Sequence, residues 1–151
     1  MFKQLHRFSG LMTILLLVQL ISGMITNLFI TIPTVLPHTQ SLPIGMTLFM
    51  TAFAWSLTNA NPILIIHSAL GIIILLLSWG FVIVALRAHA GWFVVLGWIG
   101  TLAILFSALN GLLFLLAQQG INSIWMAAGF AVALIAYALG FYMKIEPNAI
   151  S

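Results

Sequence analysis

The sequence predicts an all-α fold, an integral membrane four-helix bundle with both termini cytoplasmic. Three observations point there. Apolar residue types make up 64% of the 151 residues and charged types 3%, a balance that leaves too little polar surface to cover a water-soluble globule of this size. Four stretches reach the roughly 20 apolar residues that a hydrocarbon core about 30 Å thick requires. With four crossings, every basic residue also lands on the same side.

The spans fall at about 8–30, 62–86, 92–117 and 124–143 of a single transmembrane domain, 1–151. The first is long and polar residues recur within it, unlike a cleaved signal peptide, so it is expected to stay in the mature protein. Residues 31–61 form a long extramembrane loop. It contains Pro33, Pro37 and Pro43, then an apolar run over 44–57 that is too short to cross comfortably. That run reads as a short interfacial or re-entrant helix with Trp55 near the headgroups. Pro62 opens the second span at a first-turn position, where its missing N–H costs nothing.

Lys3 and Arg7 precede the first span, Arg87 lies between the second and third, and Lys144 follows the fourth. The excess of Lys and Arg on one side marks that side as cytoplasmic, in a cell inner membrane. The opposite side carries amides, hydroxyls and His38. Asp is absent and the sole acid, Glu146, sits in the tail.

Helices in lipid associate through small residues and interhelical hydrogen bonds. At 100° per residue, Gly129, Ala133, Ala136 and Gly140 share a narrow arc of the fourth span, and Gly97, Gly100, Ser107 and Gly111 share one on the third. These faces are expected to meet each other or the first pair of helices. The first span carries two polar strips, His6, Ser9, Thr13 and Asn27 on one and Gln19, Ser22 and Thr26 on the other. Both should face a bundle interior or a partner rather than lipid.

Composition excludes most enzyme chemistry. There is no Cys nucleophile and no Asp or intramembrane Glu, and no Gly-rich phosphate loop follows a strand. Four scattered basic residues make no nucleic-acid patch. The histidines remain. On a continuous helix His67 and His89 lie about 33 Å apart and project within about 40° of one direction, with Gly71, Ser78 and Ala85 on the stripe between them. Such a helix has the form to offer ligands to two flat macrocycles. Antiparallel crossing brings His6 to the depth of His89, so His6 with His89 reads as an axial pair for haem iron. The plainer reading is that His6 and His89 rest among headgroups, and that Ser22, Thr26 or Asn27 satisfies His67 across the helix interface.

The segment Leu5-His6-Arg7-Phe8, with aliphatics running to Gly23, and His67-Ser68-Ala69-Leu70-Gly71, with aliphatics running to Arg87, resemble the two ligand helices of the bacterial four-helix di-haem cytochromes b. That family includes superoxide oxidase and the b-type subunits of hydrogenases. A weaker likeness, through Leu5-His6-Arg7, Gln19 and Gly23, is to half of a haem A synthase. The resemblance covers about half the chain and implies haem b ligated by His6 and His67 on opposite membrane sides. Spans three and four depart from the family pattern in having no histidine. The resulting expectation is a membrane b-type cytochrome-like module with His6, His67 and His89 as candidate haem ligands. It would pass electrons, with quinone as a candidate partner, inside a respiratory complex. The alternative is a non-catalytic accessory subunit that packs against other membrane proteins or against copies of itself.

Overall fold

The computed structural model describes residues 2–33 and 45–143. Among these it has five helices and no strand: α1 (Phe2–Phe29), α2 (Met46–Thr58), α3 (Pro62–Arg87), α4 (Gly91–Ala117) and α5 (Gly120–Tyr142). All but α2 are long and apolar enough to cross a membrane. Even α5, with 23 residues, reaches about 35 Å at 1.5 Å per residue. The chain is thus a multi-pass helical membrane protein. The helices overrun the expected spans mainly at their N-terminal ends, at Phe2 and Gly120, because backbone hydrogen bonding continues past the point where side chains stop being apolar. α2 falls on the apolar run between the first two spans.

Lys3, Arg7 and Arg87 lie together at one end of the bundle, called here the basic end. Among the described residues the opposite end has no formal charge. His38, Lys144 and Glu146 lie outside the described residues.

Local chemistry sets the helix ends. At the start of α3, the Asn61 side chain accepts a hydrogen bond from the Ile63 N–H at 3.0 Å, and Pro62 follows at the first position. At its finish, the N–H of His89 donates to Leu86 C=O at 3.0 Å and that of Ala90 to Ala85 C=O at 3.1 Å. His89 itself adopts a left-handed conformation, φ 50°. This is a Schellman cap, closed by the buried pair Ala85 and Ala90. At the far end of α4, left-handed Gln118 (φ 51°) turns the chain into α5. Its side-chain amide donates to Pro33 C=O at 2.6 Å and so ties the segment after α1 to this turn.

The four long helices pack as a ring in the order α1, α3, α4, α5, with α5 returning to α1, while α2 lies against α3 and α4. The small-residue faces are what let the helices close up, as expected. A Cβ at Gly100 would stand 2.5 Å from the Tyr137 ring, one at Gly97 3.0 Å from Phe81, and one at Gly140 2.8 Å from Ser9 Oγ. One at Gly129 would fall onto Ser107 Oγ and 2.9 Å from the backbone oxygen of Ala103. The stripes of α4 and α5 therefore meet each other, and each also reaches a neighbour on its other side.

In the half nearer the basic end, every crossing helix contributes an aromatic ring. Phe81 of α3 is fully buried, with ring centroids of Phe8 (α1) at 5.4 Å, Tyr137 (α5) at 5.3 Å and Phe93 (α4) at 6.4 Å. Two of these contacts are edge-to-face, the arrangement the ring quadrupole favours. Leu5, Met12, Ile74 and Ala85 complete a continuous core around them.

Candidate functional site: a cavity beside His67

Toward the uncharged end the ring of helices parts around a cavity of about 550 Å³. α1, α3, α4 and α5 all contribute to its wall, and α2 adds Phe53 and Ser56. Most of the lining is apolar, chiefly Ile, Leu and Phe. Polar groups are set around the wall, with Gln19, Thr26, His67 and Ser68 where α1 faces α3 and Ser107 and Gln118 on the side of α4. Asn27, Thr31 and Ala108 of the wall are themselves exposed, so the cavity is open rather than sealed. Its volume falls in the ordinary range for small-molecule sites, roughly 300–1,000 Å³, and the mixture of an apolar wall with a few convergent polar groups is typical of them.

The Gln19–His67 contact is built by reciprocal large-on-small packing between antiparallel helices. A Cβ at Gly23 of α1 would lie 3.1 Å from His67 Cε1, and one at Gly71 of α3 would lie 3.2 Å from Gln19 Nε2. Each polar side chain thus rests on the glycine one turn along from its partner. Glycine at both positions lets an imidazole and an amide sit against bare backbone.

The hydrogen bonds fix the orientation of both groups. Gln19 Nε2 donates to the His67 backbone oxygen at 3.0 Å, which settles which amide atom is nitrogen. The Ser22 hydroxyl gives its one proton to Gln19 C=O at 2.9 Å and lies 2.8 Å from His67 Nδ1. In the tautomer that matches this bond, Nδ1 carries the ring proton and donates it to Ser22. His67 Nε2 is left as an acceptor, met only by a stretched 3.5 Å contact from Gln19 Nε2. Gln19 is 2% exposed, yet its Oε1 has no hydrogen-bond partner.

Of the residues that could satisfy His67 across the interface, Ser22 does so, Thr26 turns instead to Ser22 C=O at 2.9 Å, and Gln19 is an addition. Gln19 was legible as part of a polar strip with Ser22 and Thr26. Its grip on the His67 carbonyl has no signal in the sequence.

The other two histidines are elsewhere. His6 is half-buried at the basic end, its ring 4.8 Å from that of Phe141. His89 is exposed in the turn after α3. Extending the helical stripe from His67 to His89 assumed that α3 continues two residues beyond Arg87. The Schellman cap reverses the chain there, so His89 leaves the stripe.

The donor set among the described residues does not fit a bis-histidine haem. Among the described residues the cavity wall carries one imidazole, and both its nitrogens face side chains of α1. Nor does any cation among the described residues stand at that end to meet two propionates. Near His6, the interior is packed by buried Leu5, Phe81, Ala85 and Phe93. Among the described residues, no group of three or more His, Cys, Asp or Glu side chains has the spacing to hold a metal ion.

Fold and site together define the class: a multi-pass helical membrane protein with a polar-tipped cavity in one half of its bundle. No protein-family model, curated protein or solved structure matches the chain.

Proposed function

We propose that this chain is a membrane-embedded binding module that admits a small lipophilic molecule to the cavity beside His67. The observation that carries the reading is the cavity itself, about 550 Å³ of space walled by apolar side chains around the Gln19–His67 pair. A bundle whose only task was to fill space would close such a void, because each side chain lining it forgoes dispersion contacts. The basic residues favour an inner-membrane orientation with Lys3, Arg7 and Arg87 cytoplasmic, so the cavity opens toward the outer leaflet. The small-residue faces that suited an accessory subunit are used inside the chain, at Gly97, Gly100, Gly129 and Gly140. They offer no support for that alternative.

The test is native mass spectrometry of the chain released from mild detergent, alongside Ala108→Trp. Residue 108 is exposed at the cavity wall, and an indole there blocks entry without entering the core. The expected result is a co-purifying lipophilic mass that Ala108→Trp lacks. Bare protein in both, after purification from its native membrane, overturns the reading. An optical spectrum separates it from the cytochrome reading: a Soret band that shifts on dithionite reduction and is lost in His67→Ala would establish haem instead. Orientation is checked with single cysteines, which have no background in a chain that contains none. A cysteine at Gln119 should react with a membrane-impermeant maleimide from outside the cell, and one at His89 should not.

A further inference from the structure

The cavity has a length, a floor and an open end. The residues that border it run from Leu64 to Leu75 on α3 and from Ile104 to Gln118 on α4, about 16 and 21 Å at 1.5 Å per residue. Helix pairing puts the two deep ends at one level: Gly97 of α4 receives Phe81 of α3, and Ile104 and Ile74 each stand seven residues from that contact toward the cavity. Both isoleucines line the cavity, both are buried, and both belong to the continuous core that holds Phe81. One turn further toward the basic end, Ser78 and Thr101 are fully buried. The cavity is therefore blind in that direction. At the uncharged end its wall carries Asn27 and Thr31, both exposed.

A volume of about 550 Å³ over a length of about 18 Å averages roughly 30 Å² in cross-section. A hydrocarbon chain whose neighbours stand at 4.0–4.5 Å takes up about 20 Å². One chain fits along such a slot, and two side by side do not. We infer that the cavity binds one straight alkyl chain of a single-chain amphiphile, with its head near Asn27 and Thr31 and its methyl end against Ile74, Leu75 and Ile104, and that this floor limits the chain length accepted. This deepens the binding reading above and rests on it. Bonds of about 1.5 Å in a zigzag advance an extended chain about 1.3 Å per carbon, so the limit falls at about 14 carbons. A longer chain lifts its head out of the membrane, and each methylene returned to water lowers affinity about fourfold.

The experiment offers the whole chain, in lipid nanodiscs, an equimolar series of straight-chain 1-alkanols of about 8 to 20 carbons. Native mass spectrometry reads which are retained, each scaled to its amount in the bilayer. Retention is expected to hold up to about 14 carbons and to fall at least about fourfold by 18, the cost of returning one methylene to water. Ile104→Ala should lengthen the limit by about two carbons, and Leu75→Trp, at a half-buried floor position, should shorten it by at least as much. Retention without regard to length in the unaltered chain overturns the limit while the cavity reading stands, and that series needs no variant to fold. A chain that retains no alcohol yet keeps a co-purified mass of another kind overturns the single-chain assignment alone. One that keeps neither overturns both. A limit that stays put in both variants overturns Ile104 and Leu75 as the floor.

Discussion

At the basic end, Phe81 meets an aromatic ring from each of the other three crossing helices. At the other end the same four helices part around about 550 Å³. Both halves are built from helices of similar apolarity, and both use glycine to bring helices together. The difference lies in what each glycine receives. Gly97 and Gly100 receive rigid rings that fill the centre of the bundle, whereas Gly23 and Gly71 receive the His67 imidazole and the Gln19 amide, which lie in the groove between α1 and α3. Glycine thus serves closure in one half and the placement of polar groups in the other. Without a hydrophobic drive between helices in lipid, the shape of these contacts decides where the bundle is solid and where it is open.

Truncation should separate the halves most strongly. In lipid the water-transfer contribution is small, so Phe81→Ala leaves mainly the cavity penalty, about 2–3 kcal/mol for a void of roughly 100 Å³. Leu64 is nearly as deeply buried, at 5% exposure, but it lines the existing cavity. Leu64→Ala should cost less, about 1 kcal/mol, since its neighbours already border open space. Unfolding titrations in mixed micelles read both, and equal losses would mean that the cavity collapses in the membrane.

Adding a methyl group probes the same contrast from the opposite direction. Gly100→Ala drives its Cβ into the buried Tyr137 ring, which has nowhere to turn, and should cost about 2 kcal/mol. Gly71→Ala meets only the Gln19 amide nitrogen, at 3.2 Å on an unbranched side chain, and should stay below about 1 kcal/mol. Its larger effect should be on ligand binding, through the displaced amide. A Gly71→Ala chain that is as unstable as Gly100→Ala would show the α1–α3 groove to be as rigid as the aromatic core.

Tyr137→Phe keeps the ring and removes a buried phenol oxygen that stands near the Thr101 and Ser78 hydroxyls without a well-formed hydrogen bond to either. Stability should stay level or rise by up to about 1 kcal/mol, because an unsatisfied polar atom is lost with no bond broken. A clear loss would reveal a bond that forms in the membrane. A change of similar size is expected at the turn after α3. His89→Gly relieves the left-handed backbone at φ 50° and should stabilise the chain by about 0.5–1 kcal/mol with ligand binding unaltered.

The four crossings, the short helix between the first two and the inward-facing polar strip on α1 were all legible in the chain. Each depends on local length and periodicity, which a linear sequence carries in full. The small-residue faces of α4 and α5 were legible for the same reason, since 100° per residue places Gly100 and Gly129 on their stripes before any neighbour is known. Only the structure shows that the left-handed cap after Arg87 turns His89 away. Two residues of continued helix would have kept the histidine on the stripe, and no glycine or asparagine marks the left-handed position. It also decided that Gln19 reaches the His67 carbonyl and leaves its own Oε1 buried without a partner. Periodicity assigns a side chain to a face, but hydrogen-bond partners and empty volume arise only when faces from different helices meet.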